Sequence, residues 1–197
     1  AFVGLTVVSY AYFVSQHRVD RRHLAVSLGL FGVAGSAYAA ASLVDPNGGK
    51  PYAHSAWYPE SRQLPPRARY CKQVGGPVER FDHYCPWTRS AIGRRNYVWF
   101  LAFLASGTVA MAHALWLETR TLGGSVAQLM SRTGPDGWIV STTASVTMSL
   151  ASMLCFHLWL MHRGVTTAEL WTLQVDDTWP YSQGLAHNLS LAVSGRL

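Results

Sequence analysis

Asp82, His83 and Cys85 set a carboxylate, an imidazole and a thiol side by side within the stretch Phe81-Asp82-His83-Tyr84-Cys85-Pro86-Trp87. A cysteine attacks carbonyl carbon as its thiolate, and a free thiol with a pKa near ~8.5 needs a neighbouring base or cation to ionise at neutral pH. His83 is placed to be that base and Asp82 to orient it. The pairing works only on an extended backbone, where residues two apart share a face; on a helix His83 and Cys85 point apart. Pro86 biases Cys85 toward the extended case. Taken alone, an Asp-His-x-Cys string is equally compatible with a polar patch in a loop, so the surrounding elements must decide.

Those elements are apolar. Charged residues make up 13% of the 197-residue chain and hydrophobic ones 49%, well below the roughly 25% charge of soluble proteins. The mean hydropathy of +0.10 reflects a polar segment diluting apolar runs. Four runs are candidates for membrane spans. Phe2 to about Ser15 is short of the ~20 residues a spanning helix needs and reads as a span whose start has been cut off. His23 to Val44 is rich in Ala, Gly and Ser, which permit close helix packing in lipid. Tyr97 to Leu117 is about 31 Å long as a helix, and Trp138 to Met161 carries many Ser and Thr hydroxyls. Asp45-Pro46-Asn47-Gly48 forms a helix stop. The alternative, core helices of a soluble protein, fits the short connections less well.

Between the second and third runs, residues 50–96 hold nine of the sixteen Lys and Arg residues, several prolines and no long periodicity, as expected of a polar lobe too small for much of a core. With four spans the lobe and both termini share one side. Nine basic residues there, against three between the first two spans and two between the last two, place that side in the cytoplasm. The density of Arg18, Arg21 and Arg22 in the first connection argues the other way. The net charge of +6 suits lipid headgroups or cofactor phosphates, and the membrane setting makes nucleic acid the poorest partner. Cys71, Cys85 and Cys155 form neither a disulfide framework nor a CxxC metal pair. Cys71 reads as a buried thiol or as a second reactive cysteine near Cys85, and Cys155 as a small packing residue. His113 and His157, inside spans, read as neutral imidazoles satisfied by a neighbouring helix.

Several separated motifs together resemble the Asp-His-His-Cys protein S-acyltransferases. Asp45-Pro46-Asn47 resembles that family's Asp-Pro-Gly. Pro65-Pro66-Arg67, Cys71, Asp82-His83-Tyr84-Cys85-Pro86-Trp87, Ile92-Gly93 and Asn96-Tyr97 follow its cysteine-rich domain. Thr166-Thr167-Ala168-Glu169 matches its Thr-Thr-x-Glu motif, and Gly184 to Gly195 with Asn188 resembles its C-terminal segment. The resemblance implies an all-α integral membrane protein with four transmembrane helices, an irregular cytosolic lobe between helices 2 and 3, and a short cytosolic C-terminal segment. The parts are residues 1–44 (helices 1 and 2), 45–96 (catalytic lobe), 97–161 (helices 3 and 4) and 162–197 (tail). It implies a eukaryotic endomembrane (Golgi or endoplasmic reticulum) or plasma membrane, with the active site on the cytosolic face.

The activity implied is protein-cysteine S-palmitoyltransferase. A long-chain acyl-CoA acylates Cys85, with His83 as base and Asp82 orienting it, and the acyl group passes to a cysteine of a substrate protein. Arg67, Arg69, Lys72, Arg80, Arg94 and Arg95 are candidates for the CoA phosphates; for any one of them, a solvated lobe surface meeting headgroups is an equal reading. The resemblance has Thr166, Thr167 and Glu169 tie the tail to the lobe, and Asn188 hold the C-terminal segment beside the site.

The chain departs from the family at the metals. The family's lobe folds around two zinc ions, each held by three Cys and one His. The eight corresponding positions here are Trp57, Glu60, Tyr70, Cys71, Val74, Pro77, Tyr84 and Ala91. A structural zinc site needs four Cys or His ligands, so the expectation is a lobe without zinc or other bound cofactor, its two metal centres replaced by two hydrophobic clusters to which Trp57 and Tyr70 contribute. The main rival reading is a catalytically silent four-span scaffold that keeps the lobe as a binding surface. A small transporter or channel fits worse, since the spans lack paired charges and Gly/Pro-broken helices.

Overall fold

The computed structural model describes residues 2–49, 67–172 and 180–194. Trp57, Glu60, Pro65, Pro66 and Gly195 lie outside the described residues. In chain order the elements are α1 (Phe2–Gln16), α2 (Arg21–Leu43), β1 (Arg69–Cys71), β2 (Gly76–Val78), β3 (His83–Cys85), β4 (Ser90–Ile92), α3 (Tyr97–Leu122), α4 (Val126–Met130), α5 (Pro135–Arg163), α6 (Thr167–Thr172) and α7 (Leu185–Val193). Helices α2, α3 and α5 are long and apolar enough to cross a bilayer; α1, with 15 residues, is shorter than the ~20 residues a span requires.

The chain divides into two units, residues 1–35 with 104–153 and residues 36–103 with 154–197. In the first, Tyr10, Ala114 and Leu117 form a buried cluster with Val14, Val19 and Phe31 against it. Polar groups in this apolar setting find one another, as they must where water is scarce: Tyr10 Oη lies 2.6 Å from Ser27 Oγ, Ser27 Oγ lies 3.2 Å from His113 Nδ1, and Thr143 Oγ1 donates to Glu118 Oε1 at 2.9 Å. Most Ser and Thr of α5 return their hydroxyls to the carbonyl one turn back, as Ser141, Thr142 and Thr147 do. Cys155 is exposed on α5, which corrects the expectation of a packed thiol.

The second unit contains the lobe, and here the expectation of irregular, all-α structure is corrected. The lobe is built on two antiparallel hairpins. Strand β1 pairs with β2 (Arg69↔Val78, Tyr70↔Pro77, Cys71↔Gly76) and β3 with β4 (His83↔Ile92, Tyr84↔Ala91, Cys85↔Ser90). Three-residue strands carry almost no period-two signal, which is why composition alone reads as irregular. The hairpins are held from outside by two buried asparagines. Asn47 donates to Pro77 O and accepts from Glu79 N, both at 2.9 Å, so its amide acts as a short extra strand beside β2. Asn96 accepts from Gly93 N at 2.8 Å and donates to Ala41 O of α2 and Ala91 O of β4 at 3.1 and 2.9 Å.

The lobe's apolar core is Cys71, Val78 and Ala91, with Val74, Phe81 and Tyr84 packed on it. Four of the eight metal-ligand positions, Cys71, Val74, Tyr84 and Ala91, thus meet in one cluster. Tyr70, in contrast, is 56% exposed, which corrects the expectation that it joins such a cluster: on the three-residue β1 its neighbours point inward, so the pleat sends Tyr70 out. The close approach of Gly93 sets the packing limit. A Cβ there would stand 2.7 Å from Val78 Cγ1 and 2.9 Å from the Glu79 carbonyl, so Gly93→Ala is expected to destabilise the lobe by about 1–3 kcal/mol, read as earlier proteolysis and a lower melting temperature in detergent, whereas Tyr70→Ala should change neither.

Candidate functional site

Strand β3 supplies the extended backbone that the Asp82-His83-x-Cys85 spacing requires. Asp82 N donates to Ile92 O at 2.9 Å, continuing the β3–β4 ladder by one residue and fixing the carboxylate's origin. Asp82 is 1% exposed and Cys85 4%. His83 Nδ1 lies 2.6 Å from Asp82 Oδ2, which leaves the other ring nitrogen to act on Cys85, whose thiol helps to raise the imidazole's pKa. Thr88 Oγ1 donates to Cys85 O, tightening the turn after the nucleophile position, and Tyr38 Oη of α2 donates to Trp87 O at 2.8 Å.

Electrostatics follow from this geometry. Burial opposes the Asp82 charge, but the hydrogen bond and charge of His83 and the Thr167 amide outweigh it and hold the carboxyl below its ordinary value. Burial likewise opposes an imidazolium, yet Asp82 and Cys85 raise His83 to about 9. For Cys85, burial pushes the thiol up, and hydrogen bonds from His83 and Thr88 bring it down to about 7. Between those two values thiolate and imidazolium coexist, which is an activated nucleophile already paired with the proton its leaving group will need.

The tail closes on the same carboxylate. Thr167 N donates to Asp82 Oδ1 and Thr167 Oγ1 to Asp82 Oδ2, both at 2.9 Å, and Ala168 N donates to Asp82 O at 3.1 Å. Glu169 folds back to accept from Thr166 N at 2.8 Å and takes both arms of Arg67, Nε and Nη2, at 2.7 Å each. Arg67 also donates to Gly164 O at 2.9 Å and stacks over the Tyr181 ring at 4.3 Å. Asn188 donates to Met161 O at 2.8 Å and Tyr181 O at 3.3 Å, anchoring α7 to the end of α5.

Of the six cationic residues considered for phosphate binding, Arg67 is committed to Glu169, Arg94 pairs with Glu79 at 3.0 Å, and Arg80 is 3% exposed with its guanidinium 5.1 Å over the Tyr97 ring. Lys72 and Arg95 are exposed and Arg69 half-buried. Thr88, which no motif named, and Asn47, Tyr97 and His157, named above only within motifs or as a buried imidazole, also belong to the site or its supports. As to metal, the clustered ligand positions Cys71, Val74, Tyr84 and Ala91 offer one thiol and no imidazole or carboxylate, so this donor set does not fit a zinc ion.

A family model described as DHHC palmitoyltransferase matches residues 57–174, which contain the hairpins, the Asp82-His83-Cys85 centre and α6, and the chain belongs to that family. Similar proteins include probable protein S-acyltransferase 3 of Arabidopsis thaliana, 31% identical over 129 residues (64% of this chain and 31% of the relative). Palmitoyltransferase erf2 of Emericella nidulans is 33% identical over 150 residues (67% and 24%), and palmitoyltransferase ZDHHC5-B of Danio rerio is 34% identical over 106 residues (53% and 16%). The chain thus spans less than a third of the length of these relatives. Membership and three apolar helices of spanning length make it a membrane protein.

Alkylation of Cys85 by iodoacetamide, followed by mass on its peptide, should rise with pH through a midpoint at about 7, and His83→Asn or Asp82→Asn should move that midpoint upward because the thiolate loses its cation. Arg67→Ala should strand Glu169, 3% exposed, without its partner; loss of a buried pair costs about 3–5 kcal/mol, visible as early proteolytic release of the tail.

Proposed function

We propose that the chain is the catalytic part of a protein-cysteine S-palmitoyltransferase. The observation that carries the reading is the hydrogen-bonded line Thr167–Asp82–His83 beside Cys85, which brings the thiol down to about 7. In the first half-reaction the Cys85 thiolate attacks the carbonyl of a long-chain acyl-CoA, the new S–C bond forms as the bond to CoA sulfur breaks, and His83 gives its proton to the departing CoA thiolate. In the second, neutral His83 takes the proton of a substrate protein's cysteine, that sulfur attacks the Cys85 thioester, and Cys85 leaves again as thiolate beside the imidazolium. The relatives' names, palmitoyltransferase and S-acyltransferase, agree with a palmitoyl group.

The spans supply the acyl chain's surroundings, where each buried methylene is worth about 0.8 kcal/mol. The reading counts α1 as a fourth span, divides the chain at residues 44, 96 and 161, and sets the lobe on the cytosolic face of an endomembrane or plasma membrane, as its basic residues favour. Arg69, Lys72 and Arg95, whose side chains meet no carboxylate among the described residues, serve the CoA phosphates. The lobe folds without zinc, and four of the eight metal-ligand positions, Cys71, Val74, Tyr84 and Ala91, pack in one apolar cluster.

Purified protein incubated with palmitoyl-CoA should acquire a hydroxylamine-sensitive acyl label on wild type and none on Cys85→Ala. A folded wild type that takes no label would instead favour a silent scaffold. Metal analysis should find no stoichiometric zinc, and a chelator should leave labelling unchanged; one zinc ion per chain would overturn the metal-free lobe.

A further inference from the structure

His157 lies on α5 in the same unit as the lobe, 2% exposed, and the acyl-transfer chemistry above gives it no task. Its ring centroid is 5.7 Å from that of His83, and one of its nitrogens lies within 4.8 Å of ligand atoms of both Asp82 and His83. The Asp82 oxygens already accept from His83 Nδ1, Thr167 N and Thr167 Oγ1, so the three residues form a hydrogen-bonded centre and its neighbour, not an open cradle for a cation. His83 therefore has Nδ1 spent on Asp82, and its ring is bounded by Phe100, at 5.2 Å edge-on, and by His157.

His157 is itself fixed. Its Nδ1 lies 3.2 Å from Tyr97 Oη, and its ring stands edge-on to Phe100 at 5.0 Å and 79°. A phenyl ring would fill the same volume. An imidazole adds a dipole and a lone pair in a pocket that must hold a cation away from water, where such groups act with little screening. Among the described residues, the charged or titratable groups facing His83 are Asp82 and Cys85 of the lobe, Tyr97 of α3 and His157 of α5; Arg80 lies over the Tyr97 ring and interacts with the Arg67–Glu169 pair. A second cation at His157 would oppose the imidazolium of His83, so only a neutral imidazole supports it.

We propose that His157, held by the Tyr97 hydroxyl, is a positioning residue that keeps the His83 imidazolium aligned between Asp82 and Cys85. The proposal rests on the reading of Cys85 as the activated thiol, but it does not need acyl transfer to be tested. In full-length protein, iodoacetamide labelling of the Cys85 peptide against pH reports the thiolate directly. His157→Phe, which keeps ring volume, should move the midpoint up by about half a pH unit or more; Tyr97→Phe, which removes one hydroxyl, should move it the same way by less, and the double variant should match His157→Phe alone because both act through one chain of contacts. Where acyl labelling proceeds, the same variants should lower the rate of Cys85 acylation about tenfold with little change in the acyl-CoA concentration giving half-maximal rate.

An unshifted alkylation profile in either folded variant overturns the proposal, and Tyr97→Phe alone decides if His157→Phe does not fold. A shifted profile in a protein that takes no acyl label supports the role of His157 while removing the acyltransferase reading.

Discussion

The Asp82 carboxylate, 1% exposed, is the group on which the rest of this unit depends. A buried carboxylate without partners is costly, and each oxygen must be matched by donors. Here the donors come from both ends of the sequence that the unit must join: His83 from the adjacent residue and Thr167 from 85 positions away. The same bonds that satisfy the charge fix the imidazole and dock the tail. Stability and reactivity are therefore one arrangement, and a change that disturbs α6 reaches Cys85 through Asp82 without any contact of its own with the thiol.

Around that centre, polar side chains do the work of backbone. The hairpins are too short to be stable alone, and the amides of Asn47 and Asn96 complete their edges, the latter reaching Ala41 at the end of α2. The Arg67–Glu169 pair, nearly bidentate and buried, plays the matching part at the tail, where a planar guanidinium suits a carboxylate better than an ammonium. Apolar packing of Cys71, Val74, Tyr84 and Ala91 fills the space between hairpins. That packing is small, and the buried hydrogen bonds of Asn47, Asn96 and Arg67 add to it.

Tyr84 separates two demands that the motif combines. Strand alternation puts His83 and Cys85 on one side and Tyr84 on the other, so the side chain between the reactive pair faces the lobe core and meets Ala91 across the ladder. The Tyr84 side chain thus serves the packing of the lobe and leaves the His83–Cys85 face to those two residues. This was legible in the sequence because a period of two follows from backbone geometry alone. The exposure of Tyr70 was not, because which way a three-residue strand turns its middle side chain depends on the core it is laid against, and composition cannot report that.

The sequence by itself determined the apolar runs, the helix stop at Asp45-Pro46-Asn47, the Asp82-His83-Cys85 pairing and the poverty of metal ligands, since each is a matter of local residue type, spacing or absence. Only tertiary structure decided which cations are engaged. Arg67, Arg80 and Arg94 look alike in sequence, yet the first is tied to a carboxylate 102 positions away, the second is buried under Tyr97, and the third is paired with Glu79. It decided as well that His157, one of two histidines in apolar runs, lies against the reactive imidazole while His113 meets Ser27. Charges and imidazoles owe their character to what desolvates and faces them, and those neighbours come from chain segments that no local pattern connects.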